Sequence, residues 1–480
     1  MQVIIKKTNL KKATNLMTIG LFVVGVLVVG SSLLTNNVSS PALRGEFGNA
    51  YSNVVNDSGE VVEVGIRAYE DEVEIVNGYK TKVWSYNGEI PGPEIRINLG
   101  DTLKVNFTNN LPDETTIHWH GVRVPNAMDG VPGVNQEPIA PGDSFVYEFT
   151  PKDAGTFWFH PHVRGAEQVE RGLFGTLIVE DKISKEYSQD VVWILDDIRM
   201  TDTYQIDPNF VTGGDLMHDG RWGNVITVNG TINEQLEVRP GERIRLRLVN
   251  TSNGRVYLPS FGSLDSKIIA VDGMYVKEAF DLDNFEIAPG NRVDLDIKIP
   301  KDSSGKTFKV YDYYTRNNYQ LAEIIVTGST IETPDFDYPV NINIPDWTDA
   351  INNDVDISFK LNTFSGNGGM GMMGGINWAI NNEVFPDNSD YILKYNEVNI
   401  LEYKNESFRL HPMHLHGQFF KVISRNGVAS NENYFRDTVL VHPNETVRVA
   451  IVPLDKGEWA HHCHILEHAE SGMMNTIVVK

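Results

Sequence analysis

Cysteine is all but missing from this chain: Cys463 is the only one in 480 residues. An intrachain disulfide is therefore excluded, and any role for this thiol has to be found in other chemistry. Positive charge is also in deficit. The chain has 41 Lys and Arg against 64 Asp and Glu, a formal net charge of −23. Such a surface repels nucleic acid and anionic membranes. It favours solubility and is compatible with cationic substrates. Helical periodicity is scarce as well. Short alternating runs bounded by Gly, Pro, Asn and Asp take its place, for example at 94–98, 101–107 and 243–249. That pattern is the signature of β-sandwiches, so the expected fold class is all-β.

Charge is absent altogether from 13 to 43, behind four lysines (Lys6, Lys7, Lys11, Lys12), and 17–34 is mostly apolar. Removed, this is a secretory signal; retained, it is long enough to anchor the chain in a membrane. The segment 1–44 contains no convincing Ala-x-Ala cleavage site. Either way the body is expected to be exported: periplasmic, cell-surface or secreted. A lone cysteine in an exported protein is better explained by metal binding than by disulfide chemistry.

The body repeats itself. Asn87-Gly88 leads to Gly100-Asp101 and Asn109. Asn229-Gly230 leads to Pro240-Gly241 and Asn250, and Asn381-Asn382 leads to Asn405. A second marker follows in each unit: Ala140-Pro-Gly-Asp143, Ala288-Pro-Gly-Asn291 and His442-Pro-Asn-Glu445. A domain-sized period implies three similar sandwiches, about 50–182, 186–330 and 335–480. Aligned, the units differ in histidine. Gly155 is followed at fixed offsets by His160 and His162, and Gly457 at the same offsets by His462 and His464. Gly305 is followed there by Val310 and Asp312. Likewise His118-Trp119-His120-Gly121 matches His414-Leu415-His416-Gly417, and the middle unit has no histidine near that place. The middle unit therefore reads as a spacer.

In a strand, side chains alternate between faces. Each His-x-His pair then presents two imidazoles on one face. In His462-Cys463-His464 the thiol points one way and both imidazoles the other. Two metal sites on opposite faces of one strand follow, and His468 and Met473 lie within reach of the thiol. Thiolate, imidazole and a weak axial thioether make a blue-copper site. Eight paired histidines exceed one metal's capacity and imply several coppers between the first and third units; zinc cannot do redox work.

These motifs closely resemble those of three-domain multicopper oxidases, of the laccase and bacterial copper-efflux-oxidase type. The four matching motifs are His118-Trp-His120-Gly, His160-Pro-His162, His411-Pro-Met-His414-Leu-His416-Gly and His462-Cys463-His464 through His468 to Met473. The resemblance implies three cupredoxin-like Greek-key sandwiches and four copper ions. It assigns His411, Cys463 and His468 to a type 1 copper, with Met473 axial and Met474 a competitor for that place. It assigns His118 and His414 to a type 2 copper. His120, His160, His162, His416, His462 and His464 go to a type 3 pair. One-electron oxidation of a phenol, an aromatic amine, Cu(I), Fe(II) or Mn(II) would then drive four-electron reduction of O2 to water.

Reducing O2 consumes protons, so acids are expected nearby. Asp129 matches the family's acid near the type 2 copper, or is a turn residue in Met128-Asp129-Gly130. In the copper-efflux and spore-coat relatives a glutamate directly follows the last histidine ligand. Here that place is Ala469, and Glu470, one residue on, either substitutes or lines the outer shell. Asp437 resembles an acid that receives substrate near the type 1 copper, or is a strand-end surface charge. His218 and His442 read as surface or turn residues, and His461 as packing. Met370, Met372 and Met373, in the glycine-rich stretch 366–375, form either a flexible loop or a thioether site for Cu(I). The latter would make the chain a cuprous oxidase for copper tolerance. Gly366, Gly368 and Gly371 lack the strand-to-helix context of a dinucleotide site. A copper nitrite reductase and a non-enzymatic copper carrier are remoter alternatives: the first needs only one histidine beside the cysteine, the second no oxygen chemistry.

Overall fold

The computed structural model describes residues 6–9, 50, 57–182, 186–364 and 376–480. Strands between 60 and 180, 189 and 326, and 357 and 479 form three successive modules of two sheets each. One wiring scheme repeats in all three. In one sheet the opening strand runs parallel to a later one: Glu60–Val76 beside Thr102–Asn110, Gln189–Ile198 beside Arg243–Asn250, Ile357–Phe364 beside Asn399–Asn405. In the other sheet the parallel partners are Glu94–Asn98 with Gly175–Glu180, Glu234–Val238 with Tyr319–Val326, and Tyr391–Leu393 with Met474–Val479. A tight turn cannot join parallel strands, so the chain crosses between sheets in each module. The architecture is all-β with cupredoxin-like modules. Of the segment 1–44, only Lys6–Asn9 is described, as a strand antiparallel to Glu60–Val76. The apolar run 17–34 and the methionine-rich stretch 366–375 lie outside the described residues. No helix among the described residues is long and apolar enough to cross a membrane.

The repeated sequence markers have physical causes. Asn87-Gly88, Asn229-Gly230 and Asn381-Asn382 all hold positive φ, between 53° and 85°, as a tight hairpin turn requires. The later asparagines are corner clamps. The Asn109 amide donates to the carbonyls of Asp113 and Ile139, Asn250 to Arg255 and Ile287, and Asn405 to Arg409, Val441 and His442. Each asparagine's backbone N–H also reaches the second marker, at Asp143, Asn291 or Glu445. Both markers therefore meet at one corner of each sandwich. Asn405→Ala would leave three carbonyls without this donor, that of Val441 buried and those of Arg409 and His442 partly so. It is expected to cost about 2–4 kcal/mol, read as a lowered Tm; an unchanged Tm would show that the clamp is redundant.

The run at 243–249 is a strand, as expected, but all eight residues of Arg243–Asn250 are buried. The first module covers its charged face. Arg247 bonds Asp190 and, across the interface, the Thr156 hydroxyl, which itself donates to Asp294; Arg245 also pairs with Asp294. These ion pairs lie within the middle module and the Thr156 hydroxyl bridges them to the first; removing one partner of such a desolvated pair is costly.

Candidate metal centre

The site is carried by β1 (His118–His120), β2 (Gly155–His160), α1 (Gly165–Glu170), β3 (His411–Leu415), β4 (Gly457–Cys463) and α2 (Leu466–Glu470). β1 pairs with β2 so that His118 faces His160, and β3 pairs with β4 so that His414 faces His462. The outer modules thus present the same two-strand device. Between its histidines, Trp119 turns the other way, into the first module's core against Phe149 and Phe159.

On one face of β4, Cys463 Sγ lies 3.6 Å from His411 Nδ1 and 3.8 Å from His468 Nδ1, and the two nitrogens are 3.3 Å apart. All three residues are fully buried. The orientation of each ring is fixed from behind. His468 Nε2 donates to the His218 carbonyl at 2.9 Å. His411 Nε2 donates to the Ser407 hydroxyl at 2.9 Å, whose own proton goes to Asn405 Oδ1 at 2.7 Å. The corner clamp of the third module therefore also orients a ligand. Trp378 packs on both rings, at 4.8 and 4.3 Å. Burial pushes the Cys463 thiol up, holds His411 well below its ordinary value and lowers His468 to about 3. Two neutral imidazoles with lone pairs aimed at one sulfur fit a soft cation that can take a thiolate. Met473 is buried beside them, its carbonyl accepting from the Cys463 N–H at 3.0 Å. Met474 pairs in register with His462 and lines the opposite face, so it is removed from the competition for the thiol side.

On that opposite face, eight imidazoles converge from the two modules. His118 stacks on His416 and His120 on His414, both at 3.8 Å, and His416 Nε2 is 3.0 Å from His462 Nε2. Nitrogens of His118, His160 and His162, of His118, His120 and His414, of His120, His160 and His464, and of His162, His416 and His462 form sets within 4.8 Å. The outward nitrogens are satisfied: His118 Nδ1 by the Asp129 carbonyl, His160 Nδ1 by Pro161, His414 Nδ1 by Asp437 and His462 Nδ1 by Cys463, all at 2.8–3.1 Å. The inward ones are buried with no partner: Nε2 of His118, His160, His162 and His414, Nδ1 of His120, and both nitrogens of His464. Burial lowers His120, His160, His162, His414, His416, His462 and His464, which keeps the rings neutral. Buried lone pairs facing one another call for cations between them.

Asp129 is buried at the cluster. Its carboxylate lies 3.0 Å from His416 Nδ1 and 3.2 Å from His118 Nδ1, and accepts from Asn135. It bridges a histidine of each outer module and is more than a turn residue. Asp437 requires a correction. It is neither a substrate-receiving acid at the thiol site nor a surface charge. It is buried at the histidine cluster, 3.3 Å from His120 Nε2 and 3.4 Å from His414 Nδ1. Burial would raise this carboxyl, but Arg292 and His414 hold it well below the usual carboxylate range. Glu470 lies at the open end of a channel of about 160 Å³ that reaches His160, His162 and His462 and is also lined by Arg164 and Met474. One Glu470 oxygen accepts from the Ala166 N–H at 3.2 Å, at the start of α1.

His461 is packing, as read: it bonds Asn475 and Tyr403 and lies against Phe359. His442 pairs with Glu286 at a turn. His218 is exposed, yet its carbonyl holds His468. The middle module is less of a spacer than its missing histidines imply. A Cβ on Gly290 would lie 2.9 Å from His464 and 3.0 Å from His120. Arg292, Asp272 and Glu467 escaped sequence reading. Glu467, between His464 and His468, accepts from Asn253 and the Arg221 N–H of the middle module, and burial pushes it up to about 7. The Ala288-Pro-Gly-Asn marker was the one available signal for Arg292.

Three cupredoxin-like modules, the outer two rich in histidine, with a thiolate site and a multi-imidazole site back to back, define a copper redox protein. Models of the multicopper oxidase family match residues 68–184, 191–330 and 350–480. Laccase-5 of Trametes villosa is 31% identical over 463 residues, covering 80% of this chain and 83% of the laccase. The crystal structure of a multi-copper oxidase from Pseudomonas thermotolerans is 31% identical with a TM-score of 0.77, over 88% of this chain and 99% of that one. A Campylobacter jejuni multicopper oxidase described as a metallo-oxidase is 28% identical with a TM-score of 0.74, over 90% and 93%. The chain belongs to the multicopper oxidase family, and it is a copper-dependent oxidoreductase with O2 as electron acceptor.

Proposed function

We propose that the chain holds four coppers. His411, Cys463 and His468 would hold a type 1 ion with Met473 as its thioether ligand, His118 and His414 would hold a type 2 ion, and the other six paired histidines would hold a type 3 pair. The observation that carries this is the set of inward ring nitrogens left without partners while their opposite nitrogens are bonded. Copper supplies one-electron oxidation on the thiol side and four-electron O2 reduction on the histidine side. The chain supplies the connection. His462 and His464 flank Cys463 directly, and the His462 Nδ1–H to Cys463 carbonyl bond at 2.8 Å adds a second short path.

The reducing substrate we infer is a small one-electron donor: a phenol, an aromatic amine, Cu(I), Fe(II) or Mn(II). The acidic body favours the cations. The names of two relatives, a laccase and a metallo-oxidase, support the two arms. A cuprous oxidase is the second reading, favoured by one observation: Trp378, which packs on both thiol-site imidazoles, follows the methionine-rich stretch 366–375 by three residues in sequence. Copper analysis with absorption spectroscopy, followed by O2 uptake over the five donors, tests the main reading. One copper per chain or no O2 uptake would overturn it. Deleting 366–375 separates the arms: unchanged Cu(I) turnover removes the second reading. Export, through a cleaved or anchoring segment at 1–44, belongs to the same proposal; the N-terminal sequence of the mature protein tests it.

Glu470, rather than position 469, is the acid we assign to proton exchange at the channel. Glu470→Gln is expected to lower kcat about 10²-fold with copper content unchanged. An unchanged kcat would leave Glu470 as lining only.

A further inference from the structure

A single guanidinium touches all three modules beside the histidine cluster. Arg292 is fully buried in the middle module. Its Nε donates to the Thr156 carbonyl on β2 of the first module, 3.1 Å away. Its Nη1 donates to the Gly290 carbonyl of its own module at 3.0 Å. Nη1 and Nη2 together grip the Asp437 carboxylate of the third module, at 2.9 and 2.6 Å. Asp437 is the residue that meets His120 of the first module and His414 of the third. Asp272, also of the middle module, closes the arrangement from behind. Its carboxylate accepts from Asn291, from the Arg292 N–H and from the N–H groups of Asp437 and Thr438.

The space around this contact is tight. Gly121, directly after His120, sits at φ +80°, and a Cβ there would lie 2.1 Å from Arg292 Nη2 and 2.6 Å from Asp437 Oδ2. The glycine closing the His118-Trp-His120-Gly121 motif is thus accounted for by the guanidinium behind it. His120 is also oriented unlike the other paired histidines with one bonded nitrogen, since its Nε2 faces Asp437 and its Nδ1 faces inward without a partner. A planar two-point grip fixes the carboxylate plane, which a lysine ammonium cannot do. The carboxylate plane in turn sets which nitrogen of His120 points at the cluster.

We propose that Arg292 is a positioning residue of the histidine cluster: the middle module, which contributes no histidine to it, fixes His120 and His414 through Asp437, so that a loaded cluster requires all three modules docked. The proposal rests on the four-copper reading above. It makes the docking of the middle module, and the buried ion pairs that direct it, a condition of metal retention at the cluster and not at the thiol site.

The test uses the full-length protein loaded with copper, and compares wild type with Arg292→Gln, Arg292→Lys and Asp437→Asn. Copper per chain is measured before and after timed exposure to a chelator, with the blue absorption of the thiolate site as internal control. Arg292→Gln is expected to retain the blue band and to lose cluster copper about 10- to 100-fold faster. Arg292→Lys is expected to fall between, because it restores charge but only one bond. Asp437→Asn should follow Arg292→Gln. Cluster copper held as tightly as in wild type, or a blue band lost in step with it, overturns the proposal. If Arg292→Gln does not fold, Arg292→Lys and Asp437→Asn decide the matter by the same criterion. A wild type that holds a single copper would overturn the four-copper reading and this inference together, whereas four coppers held equally by all variants would overturn this inference alone.

Discussion

Cys463→Ser is expected to abolish the blue absorption and to lower oxidation of every reducing substrate by at least about 10³-fold, equivalent to roughly 4 kcal/mol of barrier. Copper at the histidine cluster should remain. The reasoning is local. A serine hydroxyl has nearly the thiol's shape but does not ionise in a site that already pushes the thiol up, and its oxygen is a harder ligand for copper. The rings of His411 and His468 stay where Ser407, His218 and Trp378 hold them, so the fold should tolerate the change. The opposite face of β4 is untouched, because His462 and His464 make their contacts with His414, His416, His160 and His162. Copper analysis, absorption spectroscopy and O2 uptake are the measurements. A serine variant that is still blue, or that still oxidises substrate at the wild-type rate, would show that electrons reach the cluster without this sulfur.

The geometry of Cys463 was legible because it depends only on the period of a strand. Alternation places neighbours on opposite faces whatever the surrounding fold, and the structure keeps to it: Cys463 meets His411 and His468, while its two neighbours join the cluster. Of the paired histidines only His118 and His120 share a strand; His162, His416 and His464 lie just past the ends of β2, β3 and β4, and each still joins its partner at the cluster. The three-module plan could be read from turn and corner asparagines, whose backbone duties are also local.

Asp437 was misplaced because its position depends on register between strands, which the sequence does not display. β3 carries His411 to the thiol site and His414 to the cluster, only three residues apart. The neighbouring strand Thr438–Val441 runs antiparallel, so that Val441 lies opposite His411 and Thr438 opposite His414. Asp437 therefore falls at the cluster end, about 10 Å along the strand from the end first assigned. Arg292 was illegible for a stronger reason. Its partners Thr156 and Asp437 lie 136 and 145 residues away and meet it only once three modules have docked. No period or motif in one module encodes that contact.

Asp129→Ala is expected to act at the histidine cluster, and its cause differs from that of the cysteine change. The Asp129 carbonyl accepts from His118 Nδ1 at 2.9 Å and one carboxylate oxygen accepts from His416 Nδ1 at 3.0 Å, while the other carboxylate oxygen lies 3.2 Å from His118 Nδ1 without a hydrogen bond of its own. His118 belongs to the first module and His416 to the third, so one carboxylate aligns the two halves of the cluster. Alanine keeps the carbonyl bond to His118 and removes the side-chain bond to His416. His416 Nδ1 then loses its acceptor in a buried site, and its ring is free to turn the wrong nitrogen inward. Losing such an outer partner typically costs 10- to 100-fold in metal affinity or activity. Asp129→Ala is expected to fall within that range, because His416 loses its orienting bond while His118 keeps its own to the backbone carbonyl. Asp129→Asn retains one acceptor oxygen and should hold copper better than alanine does. The blue absorption and the anaerobic reduction of the thiolate site by substrate should be the same in both variants as in wild type, since no Asp129 contact reaches His411, Cys463 or His468 among the described residues. The decisive comparison is cluster copper retained under a chelator, alanine against asparagine. Equal retention by the two would mean that alignment is not what this carboxylate provides, and would leave its acidity as the property the cluster uses.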